Sequence, residues 1–148
     1  MFQKEVIMVT IQKIKNAEIF LDLVDYELQK IIPICREETL PKGTVIWKEG
    51  DTADRIYILQ KGKARINLRG KSIIDIAEPG RILGWSAFVK YNKYYTATAE
   101  CLEDSTFIRI IAADILSLFR DNQSIGLKVM DNLAVVIARR LENIVEHY

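Results

Sequence analysis

Leu40-Pro41-Lys42-Gly43-Thr44-Val45-Ile46-Trp47-Lys48-Glu49-Gly50-Asp51-Thr52-Ala53-Asp54-Arg55-Ile56-Tyr57-Ile58-Leu59-Gln60-Lys61-Gly62 is the stretch on which the fold turns. Its glycines stand at the ends of short apolar runs. There a reversing chain needs the positive φ that glycine reaches without strain. Glu49-Gly50-Asp51 reads as a turn between apolar strands at residues 45–47 and 55–59. Downstream the pattern continues, with glycines at 43, 50, 62, 70, 80 and 84. Between and beyond them lie β-rich runs at residues 64–68, 72–76, 96–101 and 106–110. Ala64, Ile66 and Leu68 alternate with Arg65, Asn67 and Arg69, the period of a half-buried strand. Many short strands separated by turns predict a sandwich or jelly roll rather than a parallel sheet with crossover helices.

On either side the hydrophobic period lengthens to that of helices. Over residues 1–38, apolar positions such as Ile11, Ile14, Phe20, Leu28 and Ile31 recur at helical intervals, with a break near residues 22–25. Asp25 is expected to cap a helix running to about Cys35, although Pro33 argues against a clean finish. After residue 111 the period returns, in a short helix over residues 114–119 and a longer one capped by Asn122 or Ser124. Ile125, Val129, Met130, Leu133, Val136, Ile137, Leu141 and Ile144 give the longer helix a near-heptad stripe. The expected organisation is one domain over residues 1–148: helices to 38, a β-roll over 39–111, and helices from 112.

Composition narrows the function. A formal charge of +1 gives no global field to recruit nucleic acid or an anionic membrane. Cys35 and Cys101 lie far apart and lack neighbours at metal-ligand spacing. The apolar run at residues 6–9 is too short to span a bilayer and has no cleavage site after it. A reduced, cytoplasmic protein without a membrane segment is therefore expected. His147 is the only histidine, so no histidine dyad or metal cluster can be assembled, and no enzyme is expected. Glu37-Glu38 and Glu103-Asp104 are assigned to turns or solvated faces.

The quoted stretch also resembles, almost residue for residue, the opening signature of cyclic nucleotide-binding domains. That superfamily holds the catabolite activator (Crp/Fnr) regulators, kinase regulatory subunits and gated channels. The resemblance continues through Gly80-Arg81-Ile82-Leu83-Gly84 to the terminal helix, nearly the whole chain. It implies a mainly β jelly roll with flanking helices, a long C-terminal helix and a ligand-binding signalling role. It also implies a phosphate-binding cassette at Leu83, Gly84, Trp85, Ser86 and Ala87, whose short helix over residues 84–89 offers backbone N–H groups to a cyclic phosphate.

In nucleotide-binding members a Glu follows the second glycine and holds the ribose hydroxyl. An Arg ten residues later pairs with the phosphate, followed by a small hydroxyl residue. Here those positions are Trp85, Tyr95 and Thr96. A phenol cannot replace a bidentate Arg–phosphate pair, and losing one such buried contact costs about 2–5 kcal/mol. Where the catabolite activator meets adenine with hydroxyl side chains, this chain has Ile144 and Val145. Cyclic AMP or cyclic GMP in the familiar mode is thus not expected, and no cofactor is assigned.

Two readings of the pocket stand side by side. It is reshaped for another small molecule, using Ser86, Tyr95, Thr96 and Thr98, the cations Arg81, Lys90 and Lys93, and the aromatics Trp85, Tyr91 and Tyr94. Or Trp85 and Tyr95 fill it, with the Tyr95 hydroxyl bonded to backbone, leaving an interaction module. A third reading is a cyclic-nucleotide sensor with an altered contact set. Two partners are open to the helix stripe, its own β-roll or a second copy; the resemblance implies the second, a homodimer through Val129, Leu133, Val136, Ile137, Arg140 and Ile144, in which Arg140 is expected to face Glu142 or Glu146. The chain stops at Tyr148, near where those regulators hinge into a helix-turn-helix. A sensor module without direct nucleic-acid contact is expected.

Overall fold

The computed structural model describes residues 9–89 and 93–146; Lys90, Tyr91, His147 and the apolar residues 6–8 lie outside them. Among the described residues, eight strands form two four-stranded antiparallel sheets. The first runs β1 (Cys35–Leu40), β8 (Ser105–Ile111), β3 (Arg55–Lys61), β6 (Ile82–Leu83). The second runs β2 (Val45–Trp47), β7 (Thr98–Cys101), β4 (Ala64–Leu68), β5 (Lys71–Ile76). Between the sheets, Tyr57, Leu59 and Phe107 of the first meet Trp47, Ala64 and Ala99 of the second. The opposite face of the first sheet carries Ile56, Ile58, Ile108 and Ile110. These pack under α2 (Asp25–Ile31), α3 (Ala112–Asp121) and α4 (Gln123–Glu146). β3 is therefore buried on both faces, which is why Ile56-Tyr57-Ile58-Leu59 is a continuous apolar run. The chain is mainly β with a long C-terminal helix, as the sequence predicts.

Gly62, between β3 and β4, shows what the turn glycines are for. Its φ is +103°, and a Cβ there would lie 2.3 Å from Ser105 Oγ and 2.7 Å from the Asp104 carbonyl oxygen.

The N-terminal boundary differs from the expectation. A four-residue helix α1 (Ile11–Ile14), a 3₁₀ turn Glu18–Phe20 and α2 precede a second 3₁₀ turn, Ile32–Ile34. The strand block then opens at Cys35, not residue 39. Pro33 has no N–H to continue an α-helical ladder, so α2 stops early. Glu37 and Glu38, expected in turns or solvated faces, lie within β1. Glu37 pairs with Lys13 at 2.7 Å and Glu38 with Arg109 at 3.4 Å, so charges on an edge strand masked its β character. Asp25 is not the cap of α2. Val24 holds that position, and the Glu27 carboxylate accepts its N–H at 3.1 Å. β6 and β1 lie where no strand is expected, β7 starts at Thr98 rather than residue 96, and α3 starts at Ala112 rather than residue 114.

The near-heptad stripe of α4 divides between two faces. Val129, Leu133, Val136 and Arg140 are buried within this one chain, against the N-terminal turn and the outer core. In the single chain these four members of the expected dimer helix already meet the domain's own core and N-terminal turn. Leu127, Met130, Ile137, Leu141 and Val145 remain exposed, roughly a third of a turn around the helix. Within the chain Arg140 pairs with Glu18 at 2.8 Å. No helix among the described residues is long and apolar enough to cross a membrane.

Polar ties hold α4 to the N-terminal segment. The Asn132 amide donates to the carbonyls of Ile19 (3.1 Å) and Leu21 (2.6 Å), and Lys128 donates to Glu27 at 2.8 Å. The Lys128 ammonium draws the Glu27 carboxyl below its ordinary value, against the opposing effect of burial. A lowered carboxyl stabilises the fold fully above its unfolded pKa of about 4.3 and loses that contribution as pH falls through the folded value. Lys128 is partly exposed, so the pair is worth about 0.5–1 kcal/mol. Urea unfolding of Lys128→Met against the parent should show that deficit at pH 7, shrinking toward zero as pH drops below 4.

Candidate ligand pocket

β6 ends at Leu83, and Gly84, with a φ of +89°, turns the chain into a 3₁₀ turn, Trp85–Phe88. No side chain fits at Gly84 without movement: a Cβ would lie 3.1 Å from both the Arg55 carbonyl oxygen and Trp47 Cη2. The expected cassette helix over residues 84–89 is thus one short turn, with Ala87 N–H bonded back to the Gly84 carbonyl at 3.1 Å.

Above this turn lies a cavity of about 240 Å³. Trp47, Leu83 and Tyr95 line it from below, and Ile66, Leu68, Ile73 and Ile74 from β4 and β5. Trp85, Arg140 and Ile144 line it on the helix side, and Ser86 and Thr96 contribute hydroxyls.

Tyr95 is only 4% exposed. Its ring stacks on Trp47 with centroids 4.2 Å apart and planes at 15°. Its hydroxyl donates to the Arg55 carbonyl and accepts the Arg55 N–H at 3.2 Å. Burial pushes the phenol up to about 12, so it stays protonated through the neutral range. Trp47 in turn donates its indole N–H to the Ala97 carbonyl at 2.8 Å. The Gly50 N–H on the Tyr95 carbonyl and the Tyr95 N–H on the Asp51 carbonyl, both 2.9 Å, pin this segment to the Glu49-Gly50-Asp51 turn.

Trp85 is half-buried, and the Arg140 guanidinium lies over its ring, 4.8 Å from the centroid. Arg140 also donates to Glu18 at 2.8 Å. The same Glu18 carboxylate accepts the Ile82 N–H at 3.0 Å and Arg81 at 3.1 Å. Burial lowers the Arg140 guanidinium to about 10, still charged at neutral pH. One carboxylate thereby joins the N-terminal turn, the strand leading into the cassette, the cavity wall and α4.

Of the residues singled out in sequence, Leu83, Gly84, Trp85, Ser86, Tyr95 and Thr96 line this one cavity. Ala87 does not; it packs into the outer core. Thr98 spends its hydroxyl on the Glu49 N–H at 3.0 Å, and Arg81 is engaged by Glu18 and Glu78. Tyr94 is exposed and Lys93 lines a separate hollow beside Phe88 and Phe119. Ile144, at the base-contact position the resemblance implies, does line the cavity, and Arg140, expected only at a dimer seam, joins it there. The available signal was an arginine inside an apolar stripe, which has to find a partner when buried.

A sequence profile of the cyclic nucleotide-binding domain matches residues 37–122, more than half of the chain. The chain belongs to that family. Over 131 residues this cyclic nucleotide-binding domain is 25% identical to the cyclic AMP receptor protein of Thermus thermophilus, covering 86% of this chain. It spans only 58% of that relative's length. A Geobacter metallireducens GS-15 protein assigned to cyclic nucleotide binding superposes with a TM-score of 0.81 at 28% identity, over 90% of this chain and 99% of that one. The sensor domain of the transcriptional regulator DNR of Pseudomonas aeruginosa shares the fold, with a TM-score of 0.70 at 22% identity over 89% and 91% of the two chains. This is a Crp/Fnr-type β-roll. Its cavity stands above the Trp85–Phe88 turn, with the Tyr95 hydroxyl turned to the Arg55 backbone.

Proposed function

We propose that this domain is a non-catalytic, ligand-responsive regulatory module whose pocket takes a small molecule other than cyclic AMP or cyclic GMP. The observation that carries it is Tyr95: a cavity remains at the cassette, but the side chain replacing the phosphate-binding arginine has its only hydroxyl committed to backbone. Trp85 supplies an aromatic ring where a carboxylate would hold a ribose. With a net charge of +1 the domain makes no direct contact with nucleic acid.

The signal passes to α4, because Arg140 and Ile144 form part of the cavity wall. A ligand that prefers one setting of α4 shifts the population of that setting. The exposed stripe Leu127, Met130, Ile137, Leu141 and Val145 pairs two copies about a two-fold axis. Sedimentation should give a dimer for the parent chain and a monomer for Leu141→Asp, which sets a charge on a position 60% exposed here. A parent chain that sediments as a monomer at high concentration overturns the pairing.

A second reading, an interaction module that has lost its ligand, is favoured by the Trp47–Tyr95 stack that fills the cavity floor. Thermal unfolding with millimolar cyclic AMP, cyclic GMP and a metabolite panel separates the cases. A ligand at a hundred times its Kd adds about 2.7 kcal/mol of stability, a shift of a few degrees. No shift with either cyclic nucleotide is expected, and one from another compound. A shift with cyclic AMP overturns the proposal; no shift with anything favours the interaction module.

A further inference from the structure

We infer that the cavity takes an uncharged, planar, largely apolar molecule with a hydrogen-bond acceptor on one edge, and that Arg140 is the residue that meets this acceptor. The inference rests on the reading that the pocket has left cyclic nucleotides, and adds to it the class of ligand that replaces them.

Charge decides against an anion. Arg140 is the only charged residue among the described residues lining the cavity. Its side chain and that of Glu18 are each about 10% exposed and pair at 2.8 Å, so the buried charges sum to zero before any ligand arrives. Glu18 also holds Arg81, and Arg81 is balanced at the surface by Glu78 at 2.8 Å. A carboxylate or phosphate entering this cavity has no uncompensated cation to meet. It either remains an excess charge in a low-dielectric setting or displaces Glu18, whose carboxylate is held by two further donors.

Donors, however, are in supply. A guanidinium carries five N–H groups. Among the described residues Arg140 places only one nitrogen on a protein acceptor, and its residue is 8% exposed. The Ser86 and Thr96 hydroxyls stand on the same cavity. An acceptor such as a carbonyl or ring nitrogen satisfies these donors without adding charge. The remainder of the wall is aromatic and aliphatic: Trp47, Trp85 and Tyr95 with Ile66, Ile74 and Ile144. Flat rings offer their best contact to a flat apolar body. A cavity of about 240 Å³ equals the liquid volume of roughly eight waters, room for one or two fused rings.

The experiment compares matched pairs by isothermal titration and thermal unfolding: coumarin with coumarin-3-carboxylate, 4-quinolone with 4-quinolone-3-carboxylate, and indole-3-carboxamide with indole-3-carboxylate, with cyclic AMP alongside. At least one neutral member should bind ten-fold or more tightly than its carboxylate. Arg140→Lys, which keeps the charge facing Glu18 but loses the fork, should weaken it about ten-fold. Ile144→Trp, which blocks the cavity without removing a polar group, should abolish it in a protein that still melts cooperatively. Carboxylates that bind better than their neutral partners overturn the inference and leave the ligand-binding reading standing. Cyclic AMP binding tighter than every ring compound overturns both. Binding by none of these probes overturns the inference, and together with an Ile144→Trp variant far less stable than the parent, as overpacking an already filled pocket requires, it also overturns the ligand-binding reading.

Discussion

Tyr95→Ala is expected to lower the unfolding free energy by about 3–5 kcal/mol, the cost of truncating a large buried aromatic. The ring stacks on Trp47 at 4.2 Å, and its removal opens the cavity floor beneath the inner core of Tyr57, Leu83 and Phe107. The hydroxyl adds a second component, since Tyr95 satisfies both the N–H and the carbonyl of Arg55 at the start of β3. Tyr95→Phe keeps the stack and strands those two groups, so it should cost about 1–3 kcal/mol. Chemical unfolding of the two variants measures both components. A loss below 1 kcal/mol for Tyr95→Ala would mean that the side chain is a free wall of an open pocket, not part of the core. Trp85→Ala should cost less, because Trp85 is only half-buried.

Arg140→Met should cost about 3 kcal/mol, because it leaves the Glu18 carboxylate buried without its closest cation. The residual attraction of Arg81 keeps the figure at the lower end of what breaking a buried pair costs. Arg140→Met combined with Glu18→Met should recover most of the loss, since removing both charges removes the desolvation penalty with them. The cycle is read by urea unfolding at neutral pH, with sedimentation alongside. If Arg140 instead paired across a dimer, the single variant would dissociate the dimer and the double variant would not restore it.

Much of the roll was legible in residues. Gly43, Gly50, Gly62, Gly80 and Gly84 all have positive φ, and the apolar runs between them became strands within a residue or two of their expected bounds. The place of Trp85, Ser86, Tyr95 and Thr96 on one cavity followed from the family resemblance, whereas the bond of the Tyr95 hydroxyl to the Arg55 backbone was one of two open readings and needed the fold to bring residues 40 apart together. β1 was not, since Glu37 and Glu38 look like a solvated turn until Lys13 and Arg109 are set beside them.

α4 divides what each level of description decides. Its amphipathic period belongs to the sequence alone, because the spacing of Val129, Leu133 and Val136 sets which side chains share a face. Which partner that face meets belongs to the tertiary structure. A stripe reads the same whether it packs on a second chain or on its own β-roll. Only the arrival of Glu18, 122 residues away, turns Arg140 inward over Trp85 and into the cavity wall. Burying a charge demands a specific neighbour, and contacts between residues distant in the chain leave no trace in local periodicity.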